Sequence, residues 1–381
     1  MDLWPPDVDN NYVEDVRSFV RQHIAPVADQ IDRDDIYPTA IVKALARQGL
    51  TTITLPPTYG GGGKPYGHAV ALFEEVSYAS AAVGISLITI FQAQTIINLF
   101  GNDAIKNEYL PKFAQGLLSS YALTEAAHGS DIRTLDTKAV RAGDNWVLTG
   151  EKSFITSGSA AEFFLILAET PVGVSVFAVP AGIENLSTYV GANSATFGLR
   201  NGPHVNLVLK GVRVPLHHII GVEGKGVRQA VTTLNFSRTL AAAISVGIAR
   251  AAFDAALQFA ASRKAFDQRV LEFQGIQWYF ADMLSDIDAA RLLTYRAADA
   301  LDRGEETERY GSEAKLIASK VGTRVASLAV QICGAYGTME SAPFGRFLRD
   351  AKAYEIAGGS TEILRNTIAK YLLRGVRNAI D

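Results

Sequence analysis

The residues best equipped for chemistry form one polar run, Tyr121-Ala-Leu-Thr-Glu-Ala-Ala-His-Gly-Ser-Asp131. Its hydroxyls and the backbone N–H groups around Gly129 suit a polar ring edge or a phosphate. The same composition also describes a solvated loop whose Thr and Ser act as local caps, and the run alone does not separate the two. Other suggestive residues carry less. Gly60-Gly-Gly-Gly63-Lys64 is not a phosphate loop, because Lys64 is followed by Pro65 rather than Ser or Thr. A dinucleotide fingerprint would need a βαβ unit, whereas helical patterns flank this segment, which reads as a flexible turn. His23, His68, His128, His204, His217 and His218 have no metal-ligand spacing, and His217-His218 follow Pro215 in what reads as an exposed loop. No metal site is expected. The single cysteine, Cys333, excludes an intramolecular disulfide and a cysteine-rich zinc site. No G-x-S-x-G nucleophile elbow occurs.

The elements that must position these residues change character twice along the chain. Tyr12 to Ile31 carries Val13, Val16, Phe19, Val20, His23 and Ile24 at helical spacing. Thr39 to Gln48 opens after Pro38 and closes at Gly49, where a left-handed cap is wanted. Ala69–Ser80 and Ala82–Phe100 follow. The second is apolar nearly all round, which predicts a helix in the middle of a bundle, and Asn102–Gln115 is a shorter helix. From about Ser120 to Val214 the chain turns to short β-rich runs, Trp146–Leu148, Phe163–Ala168, Val174–Val179 and Val205–Leu209, parted by turn signals such as Gly143-Asp144-Asn145. This predicts a small antiparallel β domain. After Gly226 helical periodicity returns in Leu240–Arg263, Val270–Arg303, Glu308–Tyr336 and Thr361–Leu373, with Ile276, Phe280, Met283 and Ile287 on one face. Long alanine-rich helices predict a packed antiparallel bundle. The expected division is 1–118 helical, 119–222 β and 223–381 helical bundle.

Composition narrows the classes. The chain has 381 residues with 48% hydrophobic content and a formal net charge of -3, ordinary for a globular enzyme and without the basic face of a nucleic-acid binder. No run of 18 or more apolar residues suggests a membrane span, and Met1–Asn11 lacks the pattern of a secretory signal. A cytoplasmic location is expected.

Several segments, taken in order, resemble the acyl-CoA dehydrogenase family. Leu123-Thr-Glu-Ala-Ala-His-Gly-Ser-Asp131 is similar to the family's Leu/Val-Thr-Glu-Pro-x-x-Gly-Ser-Asp, with Ala126 in place of proline. Gly150-Glu-Lys-Ser-Phe154-Ile-Thr156-Ser-Gly158 is similar to Gly-x-Lys-x-Trp/Phe-Ile-Thr-Asn-Gly. Arg263-Lys-Ala-Phe266 with Phe273-Gln274, Gln331-Ile-Cys-Gly334-Ala-Tyr-Gly337, Arg346–Lys352 and Ile356-Ala-Gly-Gly-Ser-Thr-Glu362-Ile-Leu-Arg365 complete the set, with departures at Asp267 and Ala335. The resemblance runs from about Leu50 to Arg374. It implies a mainly α fold with a central small β domain: an N-terminal helical domain, a β-barrel-like middle domain and a C-terminal four-helix bundle.

By the same resemblance the cofactor is FAD. Leu123, Thr124, Phe154 and Thr156 would line the isoalloxazine, with Gly129 and Ser130 near the pyrophosphate, and Tyr121 is a further expected cofactor residue. Arg263, Phe266, Gln274, Gln331 and Gly334 would meet the adenine half across a subunit interface of a homodimer or homotetramer, and Ser360 and Glu362 would also contact FAD. The implied partners are an acyl-CoA or acyl-carrier-protein thioester and an electron-transfer flavoprotein. The implied activity is formation of an α,β-double bond in the thioester.

The resemblance breaks at the base. The glutamate that removes the α-proton occupies one of two positions in the family, and here those are Gly358 and Ser237, the latter beside Arg238. Since a positioned base contributes roughly 10²–10⁴ in rate, its loss has to be made good or made irrelevant. Three readings follow: a base relocated or assisted, with Glu340 and Glu355 nearest in sequence; a desulfinase-like lyase reaction needing no α-deprotonation; or a flavin- and thioester-binding subunit without catalysis. Ser237, Arg238 and Gly358 are the expected substrate-side residues. The Ile85–Ile97 stretch is the expected acyl-pocket wall, interrupted by Gln92 and Gln94.

Overall fold

Side-chain caps set where the first helices begin. In the computed structural model, which describes residues 8–192 and 194–380, the Asp9 carboxylate accepts from the Asn11 N–H and opens α1 (Asn10–Phe19). Ser80 caps α5 (Ala81–Phe100) and Asn102 caps α6 (Asp103–Ala114) in the same way. Between them lie α2 (Ala28–Asp34), α3 (Thr39–Arg47) and α4 (Tyr66–Ala79). The glycine run is a turn between helices, but a tight one rather than a flexible one. A Cβ on Gly61 would stand 2.1 Å from the Leu55 carbonyl oxygen, and the Gly63 and Lys64 N–H groups donate to the carbonyls of Leu55 and Ile53.

The β region is one eight-stranded sheet in the order β6-β7-β3-β2-β4-β5-β8, with β1 beside β4. The strands are β1 (Ser119–Ala122), β2 (Lys138–Ala142), β3 (Asn145–Ile155), β4 (Phe163–Thr170), β5 (Gly173–Pro180), β6 (Leu186–Tyr189), β7 (Val205–Pro215) and β8 (Ile219–Ile220). The sheet is mixed, not purely antiparallel: β1 and β2 each pair with β4 in parallel. Period-2 patterning reports which residues face inward and is blind to strand direction, so this difference was not readable. The alternating inward residues form their own core around Trp146, whose indole N–H donates to the Leu216 carbonyl.

The second helical set is α7 (Gly226–Ser262), the short hairpin β9 (Lys264–Ala265) and β10 (Gln268–Arg269), then α8 (Gln274–Arg303), α9 (Thr307–Cys333), α10 (Phe344–Tyr354) and α11 (Thr361–Ile380). Helix α7 is about 55 Å long at 1.5 Å per residue and packs on α4, α5, α8 and α9. A Cβ on Gly247 of α7 would meet the Glu74 carbonyl oxygen of α4 at 2.4 Å, so glycine is what lets these two backbones touch. Buried ion pairs tie the same layer: Glu74 binds Arg250 at 2.8 Å and Arg291 at 2.6 Å, and Glu75 binds Arg250 at 2.8 Å. On α8, Phe280, Met283 and Ile287 are buried, while Ile276 is half-buried. Helices α5, α7 and α9 are long and apolar enough to cross a membrane by length and composition, but their apolar windows are largely (α5, α7) or half (α9) buried inside the protein. Helix α5 sits at the centre, with fifteen of its twenty residues buried.

Candidate functional site

A cavity of about 900 Å³ opens where the sheet meets α5, α7 and the α10–α11 turn. One wall is polar and belongs to the sheet: Tyr121, Leu123, Thr124, Gly129, Ser130, Phe154 and Thr156 all line it. A buried ion pair behind this wall holds it in place. Lys152 Nζ donates to Glu125 Oε1 at 2.7 Å and to the Leu123 carbonyl at 3.2 Å. Glu125 also accepts from the Asp136 and Thr137 N–H groups, and the Ser153 N–H donates to the Thr124 carbonyl. The strand end that carries Thr124 is thereby stitched to β3. Phe154 is aimed by a bulge: the β3–β7 register slips between Lys152 and Ile155, Phe154 has φ +58°, and its side chain is 57% exposed. Re-aiming a side chain is a recurrent use of bulges.

Thr156 has a partner that spacing did not reveal. His204 lines the cavity and its Nε2 lies 3.2 Å from Thr156 Oγ1. Burial lowers the His204 pKa, which leaves a neutral ring at pH 7. Tyr121 Oη is buried without a partner among the described residues, and burial pushes its pKa up, so it stays a neutral phenol. A phenol so placed fits a bound group with a polar edge.

The other walls are helical. Ile85, Ile88, Thr89 and Gln92 come from α5. Gln92 therefore faces the cavity, whereas Gln94 is buried and donates to the Thr51 carbonyl at 3.0 Å. Val231, Leu234, Ser237, Arg238 and Ala241 form a stripe on α7, and Gly358, Gly359 and Ser360 close the floor. Ser237 Oγ donates to the Thr233 carbonyl, the usual back-bond of a helical serine. Gly358 has φ +73°, and a Cβ there would meet nothing within 4 Å, so the cavity is open where a side chain would project.

Neither carboxylate singled out from the sequence reaches this space. Glu340 is exposed and Glu355 pairs with Lys352 at 3.2 Å, and neither lines the cavity. Among the described residues Glu308, at the start of α9, is the one carboxylate that does. No sequence signal marks it, because it is brought in from another helix.

The expected cofactor residues fall into two groups. Arg263, Phe266, Gln274, Gln331 and Gly334 do not line the cavity and are all exposed. Phe266 is 91% exposed at the tip of the β9–β10 hairpin, and the Arg263 guanidinium lies 5.6 Å from the Tyr336 ring centre. Glu362 is also outside the cavity lining, exposed on the first turn of α11 and hydrogen-bonded by Thr361 and Arg365. His218 differs from its expected exposed setting: it is buried, with Nδ1 2.9 Å from the Ala178 carbonyl oxygen. Two groups of potential ligand atoms come within 4.8 Å of one another, Glu108/His217/His218 and Glu125/His128/Asp136. Glu125 is already engaged by Lys152.

Comparison with known proteins assigns most of the chain to one family. Family models described as the N-terminal, middle and C-terminal domains of acyl-CoA dehydrogenase match residues 7–117, 120–212 and 224–373. An acyl-CoA dehydrogenase of Bacillus subtilis is 37% identical, covering 94% of this chain and 96% of the relative. Butyryl-CoA dehydrogenase from Megasphaera elsdenii superposes with a TM-score of 0.94 at 31% identity, covering 98% of this chain and 100% of that one. A prolyl acyl carrier protein oxidase superposes at 0.90 with 25% identity, covering 95% and 98%.

Proposed function

Because the chain belongs to the acyl-CoA dehydrogenase family, and because Glu308 is the carboxylate its cavity keeps, we propose that it oxidises an acyl thioester to the α,β-unsaturated product with the base relocated to α9. The convergence of two distant segments carries the reading. The Tyr121–Ser130 run and the Gly358–Ser360 turn, far apart in sequence, face each other across one cavity. The volume suits a drug-sized ligand.

The residues present fit FAD. An unpartnered buried phenol, two threonine hydroxyls and the exposed Phe154 ring line the sheet wall, and they can hydrogen-bond and stack on a flat polar ring. FAD bound there would supply a two-electron acceptor. The chain's own residues do the rest. Thr124 and Thr156 orient the ring edge, His204 holds the Thr156 hydroxyl, and Ile85 and Ile88 keep water from the acyl chain. Glu308 takes the α-proton on a carboxylate oxygen. Arg263, Phe266 and Gln274 complete the cofactor site in a homo-oligomer, a reading supported by the apolar surface that α8 exposes at Trp278, Tyr279, Leu284 and Leu292. An electron-transfer flavoprotein is the proposed acceptor, and coenzyme A or a carrier protein bears the acyl group.

Anaerobic titration of the FAD-loaded protein with a panel of acyl-CoAs tests this. Bleaching of the visible flavin band by one acyl class, lost on Glu308→Gln and kept on Glu340→Gln, is the expected result. Bleaching that survives Glu308→Gln overturns the assignment of the base. A second reading, lyase chemistry without α-deprotonation, is favoured by the empty space beyond Gly358 and the engaged hydroxyl of Ser237. It predicts an altered thioester with no net bleaching, detected by mass spectrometry of the acyl product.

A further inference from the structure

The floor of the cavity is cationic and short of anions. Arg238 is 5% exposed and lines the cavity, yet no carboxylate lies within ion-pairing distance among the described residues. Its contacts are neutral: Nε donates to the Gly358 carbonyl at 3.4 Å, and Nη1 donates to Asn235 Oδ1 and Ser312 Oγ, each at 3.3 Å. Nη2 would lie 3.5 Å from a Cβ on Gly359 and has no hydrogen-bond partner there. Behind it, Lys315 is 0% exposed and donates to the Gly359 carbonyl at 2.7 Å, with Glu355 and Glu362 acting on it through space. Glu308, which also lines the cavity, acts on Arg238 through space but makes no ion pair with it.

A buried guanidinium spent on a carbonyl, an amide and a hydroxyl is an expensive arrangement. Buried charges are ordinarily paired, and an unpaired one costs several kcal/mol. The neighbours of Arg238 on the cavity wall, Ser237 and Gly358, are small and uncharged. The space beside Gly358 is open to 4 Å. Both the charge and the room for an anion are present beside Gly358, and Glu308, the one carboxylate lining the cavity among the described residues, makes no ion pair with Arg238.

We propose that the acyl thioester brings the anion: the substrate carries its own negatively charged substituent, of carboxylate type, on the acyl chain, and that group pairs with Arg238 in the space beside Gly358. This rests on the reading of the cavity as an acyl-thioester site and names the substrate class within it. A planar guanidinium with a free edge suits a two-oxygen anion. A neutral fatty chain would leave the cation buried and uncompensated. The open volume and the charge thus select against the plain acyl group that the apolar α5 wall alone would favour.

The test is calorimetric binding to the FAD-loaded protein, without turnover, of matched thioesters: succinyl-CoA against butyryl-CoA, and glutaryl-CoA against valeryl-CoA. The expected Kd is roughly 10- to 100-fold lower for the carboxylated member of each pair, which is about 1.4–2.8 kcal/mol. Arg238→Gln should abolish the preference, with folding checked by far-UV circular dichroism. Ser237→Glu provides a second check that leaves Arg238 in place. Its carboxylate supplies the counter-charge from the protein and should reverse the preference toward the neutral thioester. Equal binding of the two members, or a preference that survives Arg238→Gln, overturns the proposal while leaving the acyl-thioester reading intact. Failure of all four thioesters to bind overturns both.

Discussion

Replacing Glu125 by glutamine should loosen the polar wall of the cavity from behind. The carboxylate accepts from Lys152 Nζ at 2.7 Å, the Asp136 N–H at 2.6 Å and the Thr137 N–H at 3.0 Å. Both partners of the ion pair are buried, Lys152 at 0% and Glu125 at 3% exposure. Burial pushes the Glu125 carboxyl up, but hydrogen bonds from Lys152 and Thr137 outweigh it and hold the group below its ordinary 4.5. Burial draws Lys152 down to about 8, so the pair is ionised at pH 7. Glutamine keeps the shape but offers an N–H₂ group to a cluster of donors, and it leaves the ammonium without a counterion.

Removing one partner of a buried pair costs about 3–5 kcal/mol. Unfolding entropy near 2.1 cal/mol/K per residue makes about 0.8 kcal/mol/K for a chain of this length, so Tm should drop by roughly 4–6 °C. The strand end carrying Thr124 hangs on Lys152 through the Leu123 carbonyl, so FAD retention on gel filtration should fall with Tm. The pH dependence has a definite sign. A carboxyl whose folded pKa is depressed contributes stability above its unfolded value and loses it as pH falls through the folded one. The Tm gap between parent and Glu125→Gln should therefore be full at pH 7 and close below about pH 4. A double variant, Glu125→Gln with Lys152→Met, removes the stranded charge and should recover part of the loss. Calorimetry showing Glu125→Gln within about 1 °C of the parent at pH 7, with full FAD content, would refute the reasoning.

Ser237→Glu and Gly358→Glu each add a carboxylate to the cavity, and in a Glu308→Gln background a well-placed one should restore flavin reduction by acyl-CoA by about 10²–10⁴-fold in stopped-flow absorbance. Ser237→Glu should be the better tolerated, since φ of +73° at Gly358 penalises any side chain by about 1–2 kcal/mol. His204→Leu strands the Thr156 hydroxyl 3.2 Å away and should weaken FAD binding by roughly five- to tenfold, at about 1 kcal/mol for one hydrogen bond, read by fluorescence quenching. Lys315 titrates at about 7 rather than 10.5, through burial and the nearby Arg238. Its folded form binds fewer protons than the unfolded one between those values, so stability rises with pH across that window, by about 5 kcal/mol at 1.36 kcal/mol per unit. Lys315→Met should flatten that rise in urea midpoints measured from pH 7 to 10, and an unchanged slope would show that the amine is not desolvated.

Much of the architecture was legible because periodicity and caps act locally. The all-round apolar character of Ala82–Phe100 is what a central helix requires, and the inward residues of Trp146–Leu148 and Val205–Leu209 pack in one core. Strand direction was not legible, since β1 and β4 show the same inward residues in either sense. The Phe154 bulge was hidden for a related reason: a one-residue slip against β7 leaves no trace in β3 alone. Within the site, the residues missed were those that arrive from elsewhere in space. His204 reaches Thr156 from the start of β7, and Glu308 reaches the floor from α9. The α7 residues Val231, Leu234 and Ala241 share one helical face with Arg238, which the sequence did single out, but as apolar residues on a mostly buried helix they carry no signal of their own.

The small residues Ser237 and Gly358 and the arginine between them without an ion pair are better understood as one feature than as two. A lone buried charge is costlier than none. Here Arg238 is held in place by Asn235, Ser312 and the Gly358 carbonyl, with Lys315 reinforcing the same turn. Three neutral contacts on one guanidinium fix its direction and leave one edge free toward the cavity. A purely structural role would be served as well by a neutral side chain making the same hydrogen bonds. Arg238→Gln separates the alternatives without reference to turnover: if the cation is structural, the variant should bind charged and neutral thioesters in the parent's proportion. If it is a receptor for an anion, only the charged ligand should lose affinity, and unliganded Tm should hold or rise as a desolvated charge is removed.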